Sequence, residues 1–151
     1  MPEQPATTTT PDQAAAPVLL DVSGGVATVT FNRADALNAL DTPAKVLLLS
    51  TLQRVAEDAD VRVVVLTGTG RAFCVGQDLR EHIGLLQSQD ESLWQTVPDH
   101  YNPIVELIAT MNKPVIAALN GVAARAVPTS RGSDQEDPES QDSAMPAKAR
   151  L

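Results

Sequence analysis

The chain has 151 residues, enough for one domain around one core, and 43% of them are apolar. Eleven basic against nineteen acidic residues give a formal charge of −8 with no basic stripe, which argues against nucleic acid as a partner. No apolar run reaches the roughly 18 residues of a membrane span, and the single cysteine, Cys74, excludes an internal disulfide.

Residues 1–17 (MPEQPATTTTPDQAAAP) lack the basic and apolar regions of a secretory signal and read as a flexible lead-in. With the lone cysteine, this points to a cytoplasmic protein. Val18–Val22 and Val26–Phe31 flank Ser23-Gly24-Gly25 and predict a hairpin. A loop, Asn32–Leu40, leads to Asp41 or Thr42 as helix cap, with Pro43 at the first helical position. The helix should run to about Glu57, with Leu48, Leu52, Val55 and Ala56 on its apolar face. Val61–Thr67 reads as a strand, continuously apolar over Val63–Leu66 as in a parallel strand covered on both faces. Gly68-Thr69-Gly70 ends it, and a short helix begins near Asp78. Ser88–Pro98 is polar and reads as a mobile loop. Pro103–Met111 predicts a helix with Ile104, Leu107, Ile108 and Met111 on one face. Lys113-Pro114 breaks it, Val115–Leu119 is another short buried strand and Asn120-Gly121 a turn. Strands alternating with helices define an α/β class with a parallel sheet. Only 3% of the chain is aromatic, so Val, Leu, Ile and Ala must fill the core. From Pro128 to Arg150 there is no Val, Ile, Leu, Phe, Tyr or Trp, so 125–151 reads as a disordered tail.

The chemistry concentrates in Val63–Leu79, VVVLTGTGRAFCVGQDL, which runs from a buried strand through a glycine-bearing turn into a helix start. Backbone N–H groups at such a junction have no partner within the helix and can hold a developing oxyanion. The Gln77 amide, after Gly76 and ahead of the helix, is the candidate donor. Gly76 allows close backbone approach, and Asp78 suits the positive end of the helix dipole. A glycine-containing turn after a strand also occurs in many α/β proteins that do no catalysis.

Three motifs occur in order: NRADALNAL from Asn32 to Leu40, GRAFCVGQDL from Gly70 to Leu79, and NKPVIAALNGVAA from Asn112 to Ala124. Together they resemble the crotonase superfamily, the enoyl-CoA hydratase/isomerase group, over 18–124. The resemblance implies a Clp-protease/crotonase spiral of ββα units, here truncated and followed by the disordered tail. It implies a coenzyme A thioester as substrate, with no metal or redox cofactor, and enolate stabilisation by two backbone amides. Gln77 aligns with the first donor. Ala126 takes the position of the second, in Arg-Ala-Val-Pro where the family carries a glycine-rich run; Pro128 disfavours the helix that should follow. Ala36, Leu37 and Ala39 align with the stretch lining the adenine and pantetheine path, and Gln77, Asp78, Leu79 and Arg80 with the acyl-CoA contact strip. The GQDL form is most similar to the ring-opened or epoxide phenylacetyl-CoA isomerase branch. Family members form homotrimers, often paired into hexamers, largely through C-terminal helices that this sequence does not carry, so a stable assembly is not expected of it.

In hydratases of the family two glutamates activate water and protonate the α-carbon, both beyond the glycine run. Glu136 and Glu139 are not substitutes, because nothing around them fixes a position. The expected function is thus that of an acyl-CoA-binding hydratase/isomerase family protein, acting through an oxyanion hole. The alternative is a truncated, non-catalytic fragment or acyl-CoA-binding module. The abrupt change after Ala124 fits an interrupted reading frame. Sequencing the locus tests this, and would refute it if no crotonase-like C-terminal half lay in another downstream frame.

Other assignments are weaker. Gly68-Thr69-Gly70 lacks the third glycine of a dinucleotide fingerprint, since position 73 is Phe73. Nothing places His82 or His100 beside Cys74, and both read as surface residues; no spacing matches a metal site. Arg71 and Arg80, and less directly Lys113, are candidates for CoA phosphates or ordinary surface charges. Trp94 and Tyr101 flank the segment that covers the acyl group in the family; local packing is the competing reading.

Overall fold

The computed structural model describes residues 15–90 and 92–124. The tail 125–151, with Ala126, and most of the 1–17 lead-in lie outside the described residues. The hairpin forms from β1 (Val18–Ser23) and β2 (Val26–Phe31), paired antiparallel from Val18↔Phe31 to Ser23↔Val26. β3 (Val63–Gly68) lies parallel to β2, and β5 (Val115–Ala117) parallel to β3, giving the order β1-β2-β3-β5. The α/β class stands, with a mixed sheet in which the hairpin supplies the antiparallel edge. A second, two-stranded parallel sheet pairs β4 (Ala72–Cys74) with β6 (Val122–Ala123), neither anticipated from sequence. Each is too short to carry a periodic signal and is held by pairing distant in the chain. At Gly121, ahead of β6, a Cβ would collide with the Arg71 carbonyl oxygen, so only glycine lets the two strands meet.

α1 (Thr42–Glu57) is capped by Asp41, whose side chain accepts from the Ala44 amide at 2.9 Å. Its Leu48, Leu52 and Val55 are buried in one cluster with Ala27, Val29 and Phe31 of β2 and Val64 and Leu66 of β3. Each of the buried Val, Leu and Phe side chains contributes about 1.5–3 kcal/mol of transfer free energy. β3 does not match the expectation of cover on both faces: Val64 and Leu66 are buried, whereas Val63 and Val65 are only half-buried. The described helices cover the Val64 face, so the continuous apolar run marks a two-sided strand of which one side is closed by described residues. Nor is β5 the buried strand expected over Val115–Leu119: it ends at Ala117, with Val115 half-buried and Ile116 and Leu119 exposed, because no described element packs over that edge of the sheet.

α2 (Leu79–Gln87) follows its Asp78 cap. The expected loop over Ser88–Pro98 is instead largely helical: α3 (Ser92–Thr96) leads into a π-helical turn, Val97–Tyr101, and then α4 (Asn102–Thr110). The wide turn has a local cause. Pro103 has no N–H to donate to the Asp99 carbonyl, and the Asn102 amide reaches back five residues to the Val97 carbonyl. Ile104 is buried, and Leu107, Ile108 and Met111 pack against the core as the spacing predicted. Lys113 is engaged within the fold. Its Nζ donates to the carbonyl oxygens of Val55 (2.6 Å) and Asp58, closing the C-terminus of α1.

Candidate active site

The site is built where the 32–40 loop meets the strand-to-helix junction. Leu40 and Gln77 form an isolated parallel bridge. The Leu40 amide donates to the Gly76 carbonyl at 2.7 Å, and the Asp78 amide to the Leu40 carbonyl at 3.1 Å. This fixes the peptide unit between Gly76 and Gln77. In a trans peptide the N–H is antiparallel to the C=O, so the Gln77 amide is turned away from Leu40. It has no acceptor among the described residues. Gly76 sits at φ 89°, in the left-handed region where a side chain would be strained.

Around this amide lies an open groove of about 1440 Å³. Ala36, Leu37, Ala39, Gln77, Asp78, Leu79 and Arg80 all border it, bringing together the two sequence stretches singled out for acyl-CoA contact. Leu79 is 68% exposed. Arg80 is exposed at the groove, whereas Arg71 does not line it. Val97, Tyr101 and Val105, from the π turn and α4, form another part of the lining. Tyr101 is therefore a groove residue and is also packed locally; Trp94 is 76% exposed and does not border the groove.

A polar network that no local motif marks lies beneath. Arg33 forms an ion pair with Asp41 (2.9 Å) and donates to Asp78 (3.0 Å) and to the Ala39 carbonyl, bonding loop to junction. Asp78 also accepts from the Arg80 and Glu81 amides at the start of α2. Burial pushes the Asp78 carboxyl up, but the Arg33 hydrogen bond, the two amides and the Arg33 charge together hold it below its ordinary value. Asp78 is thus an ionised cap and not a proton donor at neutral pH. Glu81 is also engaged, accepting from the Thr42 amide at 2.8 Å and from Gln77 Nε2 at 3.4 Å.

Lys45, on α1, is 1% exposed and the largest fully buried side chain among the described residues. Its Nζ donates to Thr96 Oγ1 (2.6 Å) and Gln77 Oε1 (3.3 Å), with Glu81 at 3.7 Å and the Tyr101 ring centroid at 5.4 Å. Burial lowers its pKa, against the opposing pull of Glu81, Asp41 and Asp78. The Tyr101 hydroxyl donates to the same Gln77 Oε1 at 2.7 Å. Burial, with Cys74 and Glu81 adding, pushes the Tyr101 phenol up to about 12, so it remains a donor at neutral pH. Lys45 lies one helical turn before Leu48, so its place on the apolar face was the one available signal.

Cys74 is buried, and burial raises its thiol pKa despite the Gly76 amide at 3.4 Å, which leaves little thiolate to act as a nucleophile. His82 and His100, expected at the surface, are half-buried. Both border a small cavity of about 130 Å³ shared with Gln77 and Thr96.

A hairpin-led α/β sheet, a strand-to-helix junction with a vacant amide and a groove beside it define a class: a fold of ββα units with a candidate oxyanion donor. The family model described as enoyl-CoA hydratase/isomerase matches residues 21–126. The chain belongs to the enoyl-CoA hydratase/isomerase family. It is 40% identical over 109 residues to the 1,2-epoxyphenylacetyl-CoA isomerase of Escherichia coli (strain K12), covering 72% of this chain and 42% of that protein. It is 41% identical over 108 residues to the (E)-benzylidenesuccinyl-CoA hydratase of Thauera aromatica, covering 71% of this chain and 40% of the relative. Among solved structures, an enoyl-CoA hydratase from Bacillus anthracis superposes with a TM-score of 0.62 at 32% identity, covering 71% of this chain and 41% of that one. An enoyl-CoA hydratase/isomerase from Mycobacterium paratuberculosis gives 0.63 at 33% identity, covering 70% and 42%. The chain thus spans about two fifths of the length of these relatives.

Proposed function

We propose that this chain binds the thioester of an acyl-CoA along the groove and offers the Gln77 amide as one of two donors to its carbonyl oxygen. The observation that carries this reading is the fixed Gly76–Gln77 peptide unit, its N–H turned away from Leu40 and without an acceptor among the described residues. Such a donor stabilises the charge that develops on the oxygen as the thioester becomes an enolate. Ala36, Leu37 and Ala39 would line the pantetheine and adenine path, and Asp78, Leu79 and Arg80 the acyl-CoA strip. Ala126 would supply the second amide. The reaction would be hydration or isomerisation of an enoyl-CoA without metal or redox cofactor. The phenylacetyl-CoA isomerase branch is favoured by GQDL and by the Escherichia coli relative.

A second reading has its own support: three of the carboxylates lining the groove, Asp41, Asp78 and Glu81, are already engaged. Asp78 caps a helix and pairs with Arg33, Asp41 pairs with Arg33, and Glu81 holds the Thr42 amide. On that ground the chain is an acyl-CoA-binding module without its own acid/base pair. Calorimetric titration of the full chain with crotonyl-CoA, followed by a hydration assay, separates the two. Turnover above background supports the enzyme, binding without turnover the module, and absence of binding refutes both.

A further inference from the structure

Lys45 poses a physical question that the thioester-binding reading leaves open. Desolvating an ammonium group costs several kcal/mol, and the nearest carboxylate, Glu81, is at 3.7 Å and has other partners. A methionine would fill a similar volume on the buried face of α1 without that cost. What the ammonium provides is directional contact, and its contacts converge on the segment that carries and covers the candidate donor. It reaches Gln77 Oε1 at 3.3 Å, Thr96 Oγ1 at 2.6 Å, and lies 5.4 Å from the Tyr101 ring centroid.

The Gln77 carboxamide is tied at both ends. Its oxygen accepts from Lys45 and from the Tyr101 hydroxyl at 2.7 Å, and its nitrogen donates to Glu81 Oε2 at 3.4 Å. These partners come from α1, the π turn and α2. An untethered glutamine beside a vacant amide is a hazard, because its own Oε1 is an acceptor of the right type on a flexible stem. It competes with an incoming thioester oxygen both by occupying donors at the groove and by standing in its volume.

We propose that Lys45 is a positioning residue: with Tyr101 it holds the Gln77 carboxamide beneath the groove and so leaves the Gln77 backbone amide to the thioester oxygen. This rests on the reading of that amide as an oxyanion donor. Lys45 touches no substrate in this role, and Tyr101 serves as its partner on the same acceptor.

The test uses the full chain and butyryl-CoA carrying carbon-13 at the thioester carbonyl. Polarisation of that carbonyl is read as the displacement of its carbon resonance on binding. The unsubstituted chain should move the resonance downfield. Lys45→Met, folded by circular dichroism, should lose at least half of that displacement, and Tyr101→Phe should lose part of it with the ring packing retained. In a Gln77→Ala background, adding Lys45→Met should change nothing further, because the group it acts through is gone. If Lys45→Met keeps the full displacement, the positioning role is wrong while the donor reading stands. It is equally wrong if the loss persists undiminished in the Gln77→Ala background. If the unsubstituted chain binds the ligand without displacement, the donor reading fails and this inference with it. Should Lys45→Met not fold, Tyr101→Phe alone and with Gln77→Ala decides by the same outcomes.

Discussion

Leu37 and Asn38 follow one another with φ of 54° and 56°, a left-handed pair at the edge of the groove. Such a conformation costs a non-glycine residue about 1–2 kcal/mol, so something must over-determine it. Asn38 is 1% exposed, and its side chain supplies the compensation. Nδ2 donates to the carbonyls of Thr69 (2.9 Å) and Ala72 (2.8 Å), while Oδ1 accepts from the Arg33 amide at 2.8 Å. Asn38→Ala should therefore lower unfolding stability by about 3 kcal/mol in urea titrations, as one buried and two part-buried bonds are lost together. Asp78 gives a pH signature. Its carboxyl is held below its ordinary value of 3.8, so it contributes stability that is complete above 3.8 and lost as pH falls through the lower folded value. Asp78→Asn keeps the cap but removes the charge. Thermal melts should show about 1 kcal/mol less stability at pH 7 and a flatter decline below pH 4.

At the scale of elements, segments with local signals formed where expected. The hairpin follows from alternating β-branched residues around Gly24-Gly25, and α1 from its Asp41 cap and an apolar row at helical spacing. The segment around Ser88–Pro98 went the other way because its order comes from partners far along the chain. Thr96 takes the Lys45 ammonium across 51 positions, and Tyr101 takes Gln77 across 24. Lys113 is the same lesson in a charge: proline-flanked and polar, it resembles a surface lysine, yet it closes the α1 C-terminus 58 and 55 residues away. Lys113→Met should cost about 1 kcal/mol through the lost cap while leaving CoA affinity unchanged, measured by denaturation and calorimetry on the same sample.

Across the whole molecule, the parallel pairing of β2, β3 and β5 sets the 32–40 loop and the 75–80 junction side by side, and the groove is their common border. Arg33 is neutralised there by Asp41 and Asp78, which leaves Arg80 as the exposed cation on the groove among the described residues and Arg71 off it. Arg80→Ala should weaken CoA binding about threefold to tenfold in dilute buffer, and less as salt screens it. Arg71→Ala should leave binding unchanged. The sequence by itself determined the α/β class, the hairpin, the main helix and the family, because propensity, caps and apolar period act within a few residues. Tertiary structure alone decided which polar groups hold Gln77. Lys45, Tyr101 and Glu81 come from elements that meet only when the chain folds, and no local pattern marks a buried lysine as a ligand of a distant glutamine.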